Sequence, residues 1–175
     1  QVPTNHWLRG KICLVIGGSR GLGSAIAKTL TLFGAIVAIN YLSSDDEAKT
    51  VLVDIQNNGG EAFLCKGDIS QPGICQQIVD KIVKQYGGLD LVVNNAYPAI
   101  DYVNFLDLDF EQFQRAVITP LKMSYEISQA VIKELQNRQG MMITISSIYA
   151  QTPESGFSGY SSAKNAVEGL TRSLA

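Results

Sequence analysis

The chain has 175 residues, 46% of them hydrophobic, and a formal net charge of −2, which suits one domain over 1–175 with a sizeable core. Basic blocks are absent, so nothing points to nucleic acid or an anionic membrane surface, and no apolar run reaches the roughly 18 residues of a transmembrane helix. Cys13, Cys65 and Cys75 sit in or beside apolar segments and His6 is the single histidine, so the expectation is a reduced, cytoplasmic protein with no metal and no histidine-based triad.

After a polar leader, QVPTNHWLRG, which lacks a signal-peptide pattern, Ile12 to Ile16 form a short β-branched run bounded by glycine. That run reads as a buried parallel strand. Gly17, Gly18, Gly21 and Gly23 follow, and Ile26, Leu30 and Phe33 then fall on one helical stripe. Strand, glycine turn and helix together make a phosphate cradle: glycines let the backbone approach a pyrophosphate, and the helix N-terminus stabilises its charge. Ala35–Asn40 reads as a second strand. Ser44-Asp45-Asp46-Glu47 fits a capping box opening a helix to about Asn58. Ala62–Lys66 is a third strand, and Ser70 with Pro72 is expected to open the next helix, carrying Ile74, Ile78, Ile82 and Tyr86. Leu89–Asn94 is the fourth strand. A loop from Ala96 to Leu106 leads into a long helix, about 110–137, expected to be interrupted at Pro120. Met141–Ser146 is the fifth strand, and a last helix starts near Ser158. Alternating β and α elements imply an α/β fold, a doubly wound parallel sheet covered on both faces.

The end of the second strand bears on the choice of dinucleotide. A carboxylate there would bond the adenosine ribose hydroxyls and repel a 2′-phosphate. The sequence has Asn40, Tyr41, Leu42, Ser43 and Ser44 instead, with no carboxylate before Asp45. Arg20, inside the glycine loop, can pair with a phosphate on that ribose. NADP is the expected cofactor.

Tyr160 and Lys164 are four residues apart and share one helix face. A phenol titrates near pH 10 and is a poor base at neutrality; a nearby ammonium favours its ionised form and makes it a usable proton donor and acceptor. Ser147, thirteen residues earlier, stands at the carboxyl end of the fifth strand, the sheet edge where such folds bind ligands. Its hydroxyl can orient a carbonyl and support charge on the oxygen.

With Gly17-Gly18-Ser19-Arg20-Gly21-Leu22-Gly23, Asp68-Ile69, Asn94-Asn95-Ala96, Ser147 and Tyr160-x-x-x-Lys164 in this order, the chain resembles the short-chain dehydrogenase/reductase family, of the type with one Rossmann-like domain. The resemblance implies that Gly17, Ser19, Arg20, Gly21, Leu22 and Gly23 hold the cofactor's phosphates, with Asn40, Tyr41, Ser43 and Ser44 at the adenosine ribose. It also implies that Asp68 and Ile69 flank the adenine, that Asn94 and Ala96 run along the cofactor, and that Lys164 bonds the nicotinamide ribose. Tyr160 would be the general acid in reduction and Ser147 would hold the carbonyl. The wording around NYLSS and GGSRGLG is most similar to the 3-oxoacyl-thioester reductase branch. A small-molecule carbonyl substrate and a homodimer or homotetramer follow from the same likeness, with Ile127, Val131 and Leu135 on a helix that must also face its own sheet.

Four departures from that family stand out. Ile16 replaces a threonine before the glycine motif, and Tyr97 replaces the glycine after Asn-Asn-Ala. Pro120 falls where the family's fourth catalytic residue, an asparagine, is expected; its main-chain carbonyl could still serve a proton relay toward Lys164. The chain also stops at Ala175, whereas such domains run to roughly 250 residues, so two C-terminal strands and the substrate-covering segment are expected to be missing. Three readings remain open: an NADPH-dependent ketone reductase, an enoyl-thioester reductase, and a catalytically weak NADP-binding scaffold.

Overall fold

A computed structural model describes residues 6–99, 102–152 and 154–175; the start of the leader and positions 100, 101 and 153 lie outside the described residues. Five strands, β1 (Ile12–Ile16), β2 (Ile36–Tyr41), β3 (Glu61–Lys66), β4 (Leu91–Asn94) and β5 (Met141–Thr144), form one parallel sheet in the order β3-β2-β1-β4-β5. The helices are α1 (Gly21–Leu32), α2 (Asp45–Asn57), α3 (Ile74–Tyr86), α4 (Phe110–Arg138) and α5 (Ser158–Leu174). The doubly wound, Rossmann-like fold expected from the β/α alternation is the fold observed.

Side-chain alternation along β1 explains the two covered faces. Ile12, Leu14 and Ile16 pack with Ile78, Ile82, Ile127 and Val131 from α3 and α4. Cys13 and Val15 point the other way, into Ala27, Val51 and Ile55 from α1 and α2. Ile127, Val131 and Leu135 are therefore committed to the chain's own sheet and not to a symmetry mate. Cys13, Cys65 and Cys75 are buried free thiols. Burial pushes the Cys13 and Cys75 thiols up to about 12, as it does, in direction, Cys65.

Register sets the stage for the site. Ile16, Asn94 and Thr144 are aligned across β1, β4 and β5, so the glycine turn, Asn95 and Ile145 all emerge at one carboxyl edge. Strand order reverses between β1 and β4, which opens a crevice there. β5 is an edge strand, with Met141 61% and Ile143 42% exposed.

Several boundaries differ from the sequence expectation. β4 begins at Leu91, not Leu89, and β5 ends at Thr144, which leaves Ser147 to head a 3-10 turn over Ile148–Ala150. Ser70 does not open α3: its N–H and O–H both donate to Asp68 Oδ1, at 2.9 and 2.6 Å, and the helix starts at Ile74 after left-handed Gly73. Ser44 is the N-cap of α2, but its side chain makes no capping bond. Its ψ of 67° departs from the extended geometry that lets a cap hydroxyl reach the N3 amide. The capping box occurs at α4 instead, between Asp109 and Gln112. α4 also runs through Pro120 as one helix of 29 residues. Proline removes one ladder bond. The turns on either side of it are held by Ala116 against Gly159 of α5 and by Ser124 against Asn94 of β4.

Candidate active site

The glycine turn is built by close approach. A Cβ at Gly23 would lie 2.1 Å from the Gly17 carbonyl oxygen, and one at Gly17, whose φ is +69°, would lie 3.0 Å from Ala96 Cα. Only glycine fits the first position, and a side chain at the second would be strained as well as crowded. Asn95, to which the sequence pattern assigns no role of its own, donates its amide to the Gly17 carbonyl at 3.1 Å and pins the turn to the end of β4. The turn delivers the chain to the N-terminus of α1, where Arg20 makes no side-chain cap and no acidic residue stands in the first turn. Those amides have no side-chain cap among the described residues, and the glycine cradle leaves room before them. The residues present fit a dinucleotide pyrophosphate.

A cleft of about 520 Å³ lies along this edge. Gly17, Ser19, Arg20, Asn40, Tyr41, Ser43, Ser44, Asp68, Ile69 and Ala96 all line it, joined by Gly67, Asn95 and Met123. Gly21, Leu22 and Gly23 are not on its wall; they form the first turn of α1 behind it. Asn94 is also off the wall. Its amide donates to Ser124 Oγ at 3.1 Å in the core, and its Oδ1 has no partner among the described residues.

Three side chains meet at the adenosine end expected of this cleft. Tyr41 donates its hydroxyl to Asp45 Oδ1 at 2.9 Å, and Lys66 donates to Asp45 Oδ2 at 2.6 Å. Those bonds hold the Asp45 carboxyl below its usual range. The nearest carboxylate after β2 is thus engaged with Lys66 and Tyr41, where the sequence pattern gave it a capping role. Asp68 is similarly turned inward on Ser70, whose side-chain and backbone donors lower its pKa. Asn40 braces β2 through bonds to the Cys65 and Gly67 carbonyls.

A second cavity of about 450 Å³ adjoins the cleft and contains Tyr160 and Pro120. Tyr97, Pro98, Ala99 and Thr119 line both spaces, so the two lie side by side across a shared wall. Tyr160 and Lys164 lie one turn apart on α5. The Lys164 ammonium is 5% exposed as a residue, donates to the Ile145 carbonyl at 2.7 Å, and sits 5.8 Å from the Tyr160 ring centroid. Burial lowers its pKa. Ser147 lines neither space; its Oγ accepts the Tyr149 N–H at 3.2 Å, which leaves its own proton to donate. The turn it heads is fastened to α5 by Asn165, whose amide donates to the Ala150 carbonyl at 2.7 Å. Tyr149 and Phe157 add rings 6.4 and 5.7 Å from that of Tyr160.

Comparison with known proteins matches this arrangement. Residues 11–175 fit the profile of a family described as short chain dehydrogenase. Elsinochrome reductase 1 of Elsinoe fawcettii is 33% identical over 178 aligned positions, which cover 100% of this chain and 65% of that protein. The 3-oxoacyl-acyl-carrier-protein reductase of Staphylococcus epidermidis is 31% identical over 166, covering 94% and 68%. A short chain dehydrogenase of Burkholderia cenocepacia, solved in complex with NADP, superimposes with a TM-score of 0.86 at 34% identity, over 95% of this chain and 68% of that one. The chain spans slightly under two thirds of the length of several curated relatives it matches.

Proposed function

Because this chain belongs to the short-chain dehydrogenase family of oxidoreductases, we propose that it is the NADP-binding domain, over 1–175, of an NADPH-dependent reductase acting on a small-molecule carbonyl. The observation that carries this reading is that the Tyr160 cavity adjoins the glycine-lined cleft, with Tyr97 and Thr119 in the wall of both. The nicotinamide, when bound, supplies the hydride. Gly17, Ser19 and Ala96, with the first amides of α1, bind and orient the cofactor's diphosphate. Arg20, Ser43 and Ser44 receive the 2′-phosphate end while Lys66 holds Asp45 away. Ser147 donates a hydrogen bond to the substrate carbonyl, and Tyr160 delivers a proton to its oxygen as charge develops. Lys164 supports the tyrosine and reaches the nicotinamide ribose.

In this proposal the Pro120 main-chain carbonyl is the relay acceptor toward Lys164. In a continuous helix that carbonyl already faces the amide four residues on, at Ser124.

The carbonyl class is a ketone, with a 3-oxoacyl thioester as one candidate. A relative named as a 3-oxoacyl-acyl-carrier-protein reductase supports it. A cytoplasmic homodimer or homotetramer is the proposed assembly. Exposed Phe110, Ile118 and Tyr125 on α4 provide apolar surface for it, and light scattering of the complete protein tests it. No helix among the described residues is long and apolar enough to cross a membrane.

The deciding experiment is NADPH oxidation by the complete protein against ketones, 3-oxoacyl thioesters and enoyl thioesters. Turnover of ketones or 3-oxoacyl groups supports the proposal. Turnover of enoyl groups alone favours the enoyl reductase, and binding without turnover favours the scaffold.

A further inference from the structure

Tyr97 occupies the position where the resemblance expects glycine, and its ring is placed on both members of the Tyr160–Lys164 pair. It meets the Tyr160 ring edge-on at 4.9 Å between centroids. The Lys164 ammonium lies 4.6 Å from the Tyr97 centroid, nearer than the 5.8 Å to Tyr160. The remaining described partner of that ammonium is a single main-chain carbonyl, Ile145. Among the described residues no carboxylate forms an ion pair with Lys164. Glu168, one turn further along α5, is bonded to Ser146 and Arg172.

A buried ammonium has given up its water and needs something in return. One carbonyl satisfies one of its three protons. The negative face of an aromatic ring is the other available group, and its attraction grows when the cation is desolvated. Tyr97 suits this role through its ring and not its hydroxyl. Burial pushes its phenol upward, so it stays neutral at physiological pH.

We propose that Tyr97 is a positioning residue for Lys164: its ring face replaces water around the buried ammonium and keeps that ammonium charged and aimed at the carboxyl edge of the sheet. This rests on the reading of Tyr160 and Lys164 as the proton-handling pair. Among the described residues, the groups facing Lys164 are Tyr97 from the segment after β4, Tyr160 from its own helix, and the Ile145 carbonyl from the end of β5. The Tyr97 phenol, held neutral by burial, carries no charge that could substitute for its ring at neutral pH.

The test is a pH titration of the complete protein without cofactor, with lysine labelled at 13Cε and the Lys164 signal assigned by loss in Lys164→Arg. Tyr97→Phe keeps the ring and should titrate with the parent. Phenylalanines with one, two and three fluorines at position 97 keep the shape while draining the ring face. They should release the Lys164 proton at progressively lower pH, with the trifluoro ring binding it roughly threefold or more weakly than phenylalanine. Tyr97→Leu should show at least the same loss, and the fluorinated series decides the matter if that variant does not fold. A Lys164 titration unchanged across the fluorinated series would overturn the proposal. Turnover of Lys164→Met separates the two readings. A graded titration combined with undiminished Lys164→Met activity would leave the aromatic cap standing and refute the catalytic role of the pair. An unresponsive titration combined with lost activity would do the reverse.

Discussion

Ala116 of α4 and Gly159 of α5 meet so closely that a Cβ on Gly159 would lie 2.7 Å from the Ala116 Cβ. This crossing sits one residue before Tyr160 and one helical turn before Pro120. It fixes how far the tyrosine's helix stands from the wall of its cavity.

Gly159→Ala should therefore destabilise the protein despite alanine's better helix propensity. Overpacking costs about 1–3 kcal/mol, and the propensity gain offsets about 1 kcal/mol of it. Turnover should fall as α5 is pushed away. Adding Ala116→Gly returns the space, so the double variant should regain stability and activity relative to Gly159→Ala alone. Chemical denaturation and steady-state rates in a double-mutant cycle check this; additive losses would contradict it.

Arg20→Ala should weaken NADPH binding and leave NADH nearly unchanged, starting from at least a tenfold preference for NADPH. Tenfold is about 1.4 kcal/mol, within reach of one charge-assisted contact. Lys66→Ala should weaken NADPH further by releasing the Asp45 carboxylate toward the same end of the cleft. Fluorescence titration with both nucleotides reads the ratio. Equal affinities in the parent protein would refute the assignment of NADP.

Asp90 ties the amino edge of the sheet together. Its Oδ2 accepts the Ile12 N–H at 2.9 Å, and its Oδ1 accepts from Lys11 at 3.0 Å, with Arg138 nearby. Burial works against its charge, yet the Ile12 bond and the two cations outweigh it and hold the pKa below the ordinary value. A carboxyl depressed in the folded state contributes stability above its unfolded pKa, about 3.9. That stability is lost as pH falls through the folded pKa. Asp90→Ala should cost roughly 1–3 kcal/mol by stranding the Ile12 amide. Asp90→Asn should flatten the fall in stability below about pH 4. Denaturation midpoints between pH 2 and 7 measure both.

Much of this was legible because it is local. The two glycine-bounded ends of Ile12–Ile16, the stripe along α3 and the Tyr160–Lys164 spacing each need only a few neighbouring residues to read. What escaped depends on distant partners. Asp45 looked like a helix-cap acid because Lys66, twenty-one residues on, is invisible to a local pattern. Ser70 looked like a helix start because nothing in the sequence shows its hydroxyl turned back onto Asp68. Pro120 looked like a break because its neighbours' anchors, Gly159 and Asn94, belong to other elements.

Pro120→Asn bears on that last point. α4 is already continuous, so restoring an amide N–H should change turnover by less than a factor of about three, under 1 kcal/mol of barrier. Thermal stability should rise, since proline inside a helix costs about 3 kcal/mol relative to alanine and asparagine less than about 1. A large gain in turnover would mean that proline had disabled a relay.

The central claim is that Tyr160 protonates a carbonyl oxygen while hydride arrives at the carbonyl carbon. NADPH deuterated at the transferable position, a ketone substrate and the complete protein test it in one measurement. Mass spectrometry and NMR of the product should find deuterium on the carbinol carbon, and Tyr160→Phe should slow its appearance by roughly 10²–10⁴-fold. Deuterium at a former alkene carbon, or an undiminished rate in Tyr160→Phe, would contradict the account.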